Sequence, residues 1–150
     1  MDRVPESPVD ELERWIAYER DAEWAAKLAV LRARDLDEIA YFGACVREHA
    51  RHADELTQLV KAIDPKREVS KEPTFVTRDA WVVGDVGEGH AILGVAAKLE
   101  LGRIARYGQR ARGYSVLDAL LERHLQDARA RLAALSDLSA AHHVPRVVAA

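Results

Sequence analysis

The sequence predicts an all-α domain, a four-helix bundle with a long crossover between its second and third helices. Three observations carry that prediction. Four stretches repeat apolar residues at steps of three and four, the period of a helix. Cap signatures open the first, second and fourth of them. The 24 residues at 65–88, between the second and third, hold Pro65, Pro73, Gly84 and Gly87 and no sustained period. A chain of 150 residues makes one domain, 1–150, able to bury about two-thirds of its unfolded surface. Hydrophobic residues at 49% and charged residues at 31% exclude a disordered or low-complexity polymer.

The first helix, about 8–34, opens at Ser7 as N-cap, with Pro8 where a missing N–H costs nothing and Asp10 in the first turn. Its stripe is Leu12, Ile16, Glu19, Ala22, Ala26 and Val30. The second, about 36–64, opens at Asp35 with Glu38 three residues on, a capping box, and stops at Pro65. Ile39, Phe42, Val46, His49, Ala53, Leu56, Val60 and Ile63 form its stripe. The crossover needs a purpose at that length. Helices of this size are about 37 Å long, and 24 extended residues reach farther, so the second and third helices can run parallel. The third helix, about 89–112, carries Leu93, Ala97, Glu100, Ile104, Tyr107 and Ala111 and ends at Gly113. Ser115 and Asp118 open the fourth, about 116–138, with Leu117, Leu121, His124, Ala128, Leu132, Leu135 and Leu138 inward. The tail 139–150 has no pattern and is expected to be flexible; its His142 and His143 form a short metal-binding tract or an exposed pair.

Composition narrows the function classes. One cysteine, Cys45, cannot form an internal disulfide, and no secretory or transit pattern opens the chain, which predicts a cytoplasmic protein. No apolar run is long enough for a membrane span, and a net charge of -3 argues against a dedicated nucleic-acid binder. Residues 98–150 nevertheless carry nine Lys and Arg against five Asp and Glu, while 1–97 carry thirteen against twenty. Arg103, Arg106 and Arg110 share one helical face there, a solvated surface or a seat for an acidic partner. Trp15, Trp24 and Trp81 are candidate anchors of a homodimer interface, Trp24 best placed because it lies off its stripe, a position that equally suits burial under the long crossover. Gly84, Gly87 and Gly89 follow no strand of a βαβ unit, so they predict a flexible approach to the third helix and no nucleotide site. Cys45, one turn before His49, reads as an inert buried thiol more readily than as a nucleophile.

Each helix also places an ionisable residue mid-stripe: Glu19, His49, Glu100 and His124. In a bundle of equal helices such residues share one layer, and buried charge there must be paired, hydrated or metal-bound. His52 follows His49 by three residues, Glu23 follows Glu19 by one turn, and Asp127 follows His124 by three, so each extends the set on its own helix. A modest rotation of the second helix exchanges His49 for His52 at the core. Buried Glu to His hydrogen bonds account for the same pattern without a metal.

The residues resemble the ferritin-like superfamily of di-iron carboxylate bundles, including rubrerythrin-like proteins and small uncharacterised bacterial branches, over about residues 10–138. The segment AYERDAE at 17–23 is similar to the one that supplies a first Glu ligand, which implies Glu19 with Glu23 as alternate. REHARHA at 47–53 resembles the Glu-x-x-His segment, with His52 matching its His and His49 standing where the family has Glu. LELG at 99–102 resembles the surroundings of the third ligand and implies Glu100, and Trp81 followed by HAILG at 90–94 is similar to the small bacterial branch. The departure is LQDARARL at 125–132, which has Ala128 and Arg131 where the second Glu-x-x-His belongs.

The resemblance therefore implies, in place of a standard di-iron ferroxidase, one ion of Fe, Mn or Zn held by Glu19, His49, His52 and Glu100, with His124 and Asp127 as further ligands or outer partners. Metal-dependent redox, peroxide chemistry or metal handling would follow. The alternative is a non-catalytic dimeric scaffold or partner-binding bundle that has lost the centre.

Overall fold

Ser7 Oγ accepts the Asp10 N–H at 3.1 Å and Pro8 takes the first helical position, so α1 (Pro8–Arg32) opens where the cap signature places it. Asp35 Oδ1 accepts the Glu38 N–H at 2.9 Å and starts α2 (Leu36–Ile63). The computed structural model describes residues 6–86, 91–110 and 112–143, and within them the remaining elements are α3 (Asp79–Gly84), α4 (Ala91–Gln109) and α5 (Ser115–His143). The described residues include no strand, and no helix among them is long and apolar enough to cross a membrane.

Two hydrophobic clusters fix the directions of the four long helices. One joins Leu12, Trp15 and Ile16 near the start of α1 to Leu56 and Val60 near the end of α2, Tyr107 near the end of α4, and Leu117, Leu120 and Leu121 near the start of α5. The other joins Ala25 and Ala29, Phe42, Ile92 and Leu93, and Leu135, from the opposite ends of the same helices. Hence α2 and α4 run the same way, α1 and α5 run the other way, and the segment that follows α2 carries the chain back along the fold. Between the clusters, every long helix contributes polar side chains.

Asp21, almost wholly buried, holds the crossover. Its carboxylate accepts the backbone N–H groups of Thr74 and Phe75 at 2.8 Å and of Thr77 at 2.9 Å. Phe75 between them has φ 55°, a conformation that a residue with a Cβ keeps only when its surroundings impose it. Arg32 reaches the Gly84 carbonyl at 2.8 Å and Arg67 pairs with Glu13 at 2.7 Å, tying both ends of the segment down.

Several boundaries differ from expectation. The crossover is not structureless: α3 packs Ala80 and Val83 inward, and six residues are too few to show a period in sequence. The fourth helix does not stop at 138, because Ser139, Ala140 and Ala141 are tolerated in a helix and no breaker precedes His143. Of the expected tail, 144–150 lie outside the described residues, as do the side chains of His142 and His143. The first helix ends at Arg32 rather than 34, since Asp35 needs extended backbone to cap α2. Of the third, expected over 89–112, the described residues 91–109 are helical and 110 and 112 are not; 87–90 and 111 lie outside the described residues, among them part of the glycine segment and Ala111. On α2 the buried face keeps Phe42, His49, Ala53, Leu56 and Val60 of the expected stripe but is turned toward Cys45 and His52, which are buried, so Ile39 is exposed; Ile63, the last residue of the helix, is exposed at its end.

Candidate metal centre

The polar layer begins with Glu19, which α1 inserts between Ile16 and Ala22 of its buried face. Its two carboxylate oxygens have separate partners. The Tyr107 hydroxyl of α4 donates to Oε1 at 3.1 Å, and His49 Nδ1 of α2 faces Oε2 at 2.7 Å. Burial alone would raise the carboxyl, but His49 and then His52 hold it well below the usual carboxylate range, so Glu19 is an anion. Burial pushes the His49 imidazole down against the pull of Glu19, so a neutral His49 donates its Nδ1–H to that anion.

His52, one turn further along α2, is fully buried. Its Nε2 lies 2.8 Å from Asp127 Oδ2 on α5, and Arg51 steadies the same oxygen at 3.1 Å. Its Nδ1 lies 3.5 Å from Glu19 Oε2 and has no hydrogen-bond partner among the described residues. Burial opposes protonation of His52, yet Glu19 and then Asp127 outweigh it and raise its pKa. The His124 ring from α5 stacks on His52, centroids 3.7 Å apart and planes at 14°. Burial and then the charge of His52 push the His124 imidazole down to about 3, leaving it neutral. Neither of its ring nitrogens has a hydrogen-bond partner among the described residues; Glu55 Oε1 is 3.7 Å from Nε2.

The ligand atoms of Glu19, His52 and His124 lie within 4.8 Å of one another, all three residues buried on three different helices. Glu48, His52 and Asp127 form a second such group, partly open. Ligands about 2.1 Å from a tetrahedral ion stand about 3.4 Å apart. The 3.5 Å between Glu19 Oε2 and His52 Nδ1 fits that edge, and His49 and Asp127 stand behind these two ligands as groups that orient a metal's ligands do.

The other expected ligands are occupied differently. Glu100 reaches the layer, but Arg131 Nε and Nη2 donate to its Oε1 at 3.1 and 2.8 Å, and Arg103 Nη1 to its Oε2 at 3.0 Å. Burial would raise the Glu100 carboxyl, but Arg103 and Arg131 lower it, fixing it as their counter-ion. Arg131 Nη1 also holds Glu48 at 2.6 Å. Glu23 stays outside, between Arg20 at 3.0 Å and Lys27 at 3.4 Å. The expected basic face is engaged within the fold: Arg103 with Glu100 and Asp79, Arg106 over the Tyr18 ring, Arg110 with Glu11 and Asp118. Cys45 is buried and its thiol pushed up to about 11, first by desolvation, which suits an inert core thiol. Toward the second cluster, a cavity of about 30 Å³ borders Tyr41, Cys45, His49, Glu100 and Arg103, room for a water but not for an organic cofactor.

Sequence reasoning missed Tyr107, Glu48 and Arg103 as members of the layer. Glu48 had a signal, since it precedes His52 by four residues and shares its face. Tyr107 read as core and Arg103 as surface, and only the packing of α4 against α1, α3 and α5 reveals their polar ends. Comparison with protein-family models, curated proteins and solved structures finds no match.

Proposed function

We propose that this chain is a ferritin-like four-helix bundle that binds one divalent transition-metal ion in its central layer. Glu19, His52 and His124 hold the ion, His49 and Tyr107 orient Glu19, and Asp127 orients His52. The observation that carries this reading is the set of three buried ring nitrogens, on His52 and His124, without hydrogen-bond partners among the described residues beside the Glu19 anion. Such atoms cost about 1–3 kcal/mol each when left bare, and one ion satisfies two of the three, one on each ring. Two imidazoles and a carboxylate suit Fe, Mn or Zn. When bound, the ion supplies Lewis acidity and, as Fe or Mn, one-electron redox capacity for peroxide chemistry or metal handling.

One ion rather than two follows from Arg131. Its guanidinium is a permanent internal cation that takes up Glu48 and Glu100, the carboxylates a second metal would require. Elemental analysis of untagged protein after loading with Fe(II), Mn(II) or Zn(II) and exhaustive desalting tests the reading. About one retained equivalent is expected, and loss of it in His124→Ala; no retained metal from a fully helical protein refutes it.

The stacked rings favour a second reading. Parallel imidazoles direct their lone pairs side by side, so joint ligation takes a rotation of one ring, whereas a proton on His52 between Glu19 and Asp127 leaves the stack undisturbed. On this reading the chain is a scaffold whose centre has been replaced by internal ion pairs, and it retains no metal.

A further inference from the structure

The outer side of α3 carries a pattern that the fold itself does not use. Arg78, Trp81, Val82 and Asp85 fall on one helical face, and all four are exposed. The opposite side, Asp79, Ala80, Val83 and Val86, is buried. Trp81 is 76% exposed, and Phe75 at 51% and Val76 at 62% extend the apolar patch. Phe75 and Trp81 border an open groove of about 620 Å³. Phe75 is held in a left-handed backbone conformation by the buried Asp21 carboxylate, with its ring edge-to-face on Trp24 and half of it left exposed.

The charges at the ends of this face say what covers it. Neither the Arg78 nor the Asp85 side chain forms an ion pair with another described residue, and the two stand equally far in sequence from the Trp81–Val82 pair. We propose that this face docks a second copy of the chain, α3 against α3, antiparallel about a two-fold axis passing between Trp81 and Val82. That arrangement sets Arg78 opposite Asp85 of the partner subunit twice, with no like charges facing. Trp81 then packs on Val82 of the partner subunit, with the groove beside Phe75 receiving the indole, the exposed aromatic anchor that interfaces favour. A parallel pairing would oppose Arg78 to the partner's Arg78 and forfeit both ion pairs. The proposal is independent of whether the central layer holds a metal.

Sedimentation velocity of the full chain, from low micromolar to submillimolar concentration, tests it. A reversible monomer–dimer equilibrium is expected. Trp81→Glu should weaken it by about 30-fold or more. Arg78→Asp and Asp85→Arg should each weaken it by about 10-fold, through two like-charged contacts per dimer. Mixed in equal amounts, these two variants should associate as tightly as the unaltered protein, because one presents Asp and the other Arg at both positions. All three substitutions are at exposed positions, so helical content and melting confirm that each variant folds. A monomer throughout the range would assign the face to a different protein and overturn the proposal. A dimer indifferent to Trp81→Glu, or a mixture no tighter than its components, would overturn it equally.

Discussion

Replacing Arg131 with Met tests whether the layer is held by an internal cation. Arg131 gives two N–H bonds to Glu100 and one to Glu48 and is itself only 5% exposed. Met fills most of the same volume, so what is lost is charge. Removing one partner of a buried ion pair costs about 3–5 kcal/mol. Here the lower end applies, about 3 kcal/mol, because Arg103 still holds Glu100 and the Glu48 side chain is 23% open to water. For a chain of this size that lowers Tm by about 6–12 °C. The acid limb should move as well. The Glu100 carboxyl is lowered in the fold, so its contribution is fully present above its unfolded pKa and lost as pH falls through its folded one. Without Arg131 the folded pKa rises and stability is lost at higher pH. Adding Glu100→Gln removes the stranded charge and should recover about 1–2 kcal/mol. Urea titrations of the metal-free proteins between pH 3 and 7 measure all of this. A single variant within about 1 kcal/mol of the parent, with an unmoved acid limb, would show that Arg131 is not the cation of this layer.

The same geometry sets other expectations. Asp21→Asn turns an amide N–H toward backbone donors of residues 74–77, so it should lower stability by about 2 kcal/mol and speed proteolysis of the crossover, read by limited digestion and melting. Cys45 should react with a thiol reagent at pH 8 only as fast as the protein unfolds, and rapid native labelling would contradict its burial and raised pKa. Ala128→Glu with Arg131→His supplies the Glu-x-x-His pair that the ferritin-like resemblance calls for on α5, and elemental analysis should then find about two equivalents of Fe(II) instead of one. Retention of one equivalent or fewer would count against reading Arg131 as the replacement for a second metal.

Local signals in the sequence reach some of this structure and not the rest. Ser7, Pro8 and Asp35 act through neighbours three or four residues away, so the openings of α1 and α2 are readable from the chain alone. Mid-stripe spacing likewise puts Glu19, His49, Glu100 and His124 at a common depth, all four buried. Periodicity says which way a side chain faces and not which partner meets it. Glu100 faces inward as its spacing requires, yet Arg131, 31 residues away, takes it. Asp21 reads as a polar helix residue because its partners come from a segment more than 50 residues on. The choice between His49 and His52 dissolves for a related reason: α1 meets His49 through Glu19 while α1 and α5 together meet His52, and both are buried. α3 is too short for a period, and its outward face becomes legible only when its inward one is seen to be filled.

The proposed site places one ion among Glu19, His52 and His124. An anomalous-difference map at the Mn or Zn edge, from crystals of untagged protein grown with that metal, tests it most directly. One strong peak is expected within bonding distance of the Glu19 carboxylate and of one ring nitrogen each of His52 and His124, with one imidazole turned out of the present stack. No peak in the layer, or a peak only at His142 and His143, would contradict it and leave a bundle whose polar centre is held by its own ion pairs.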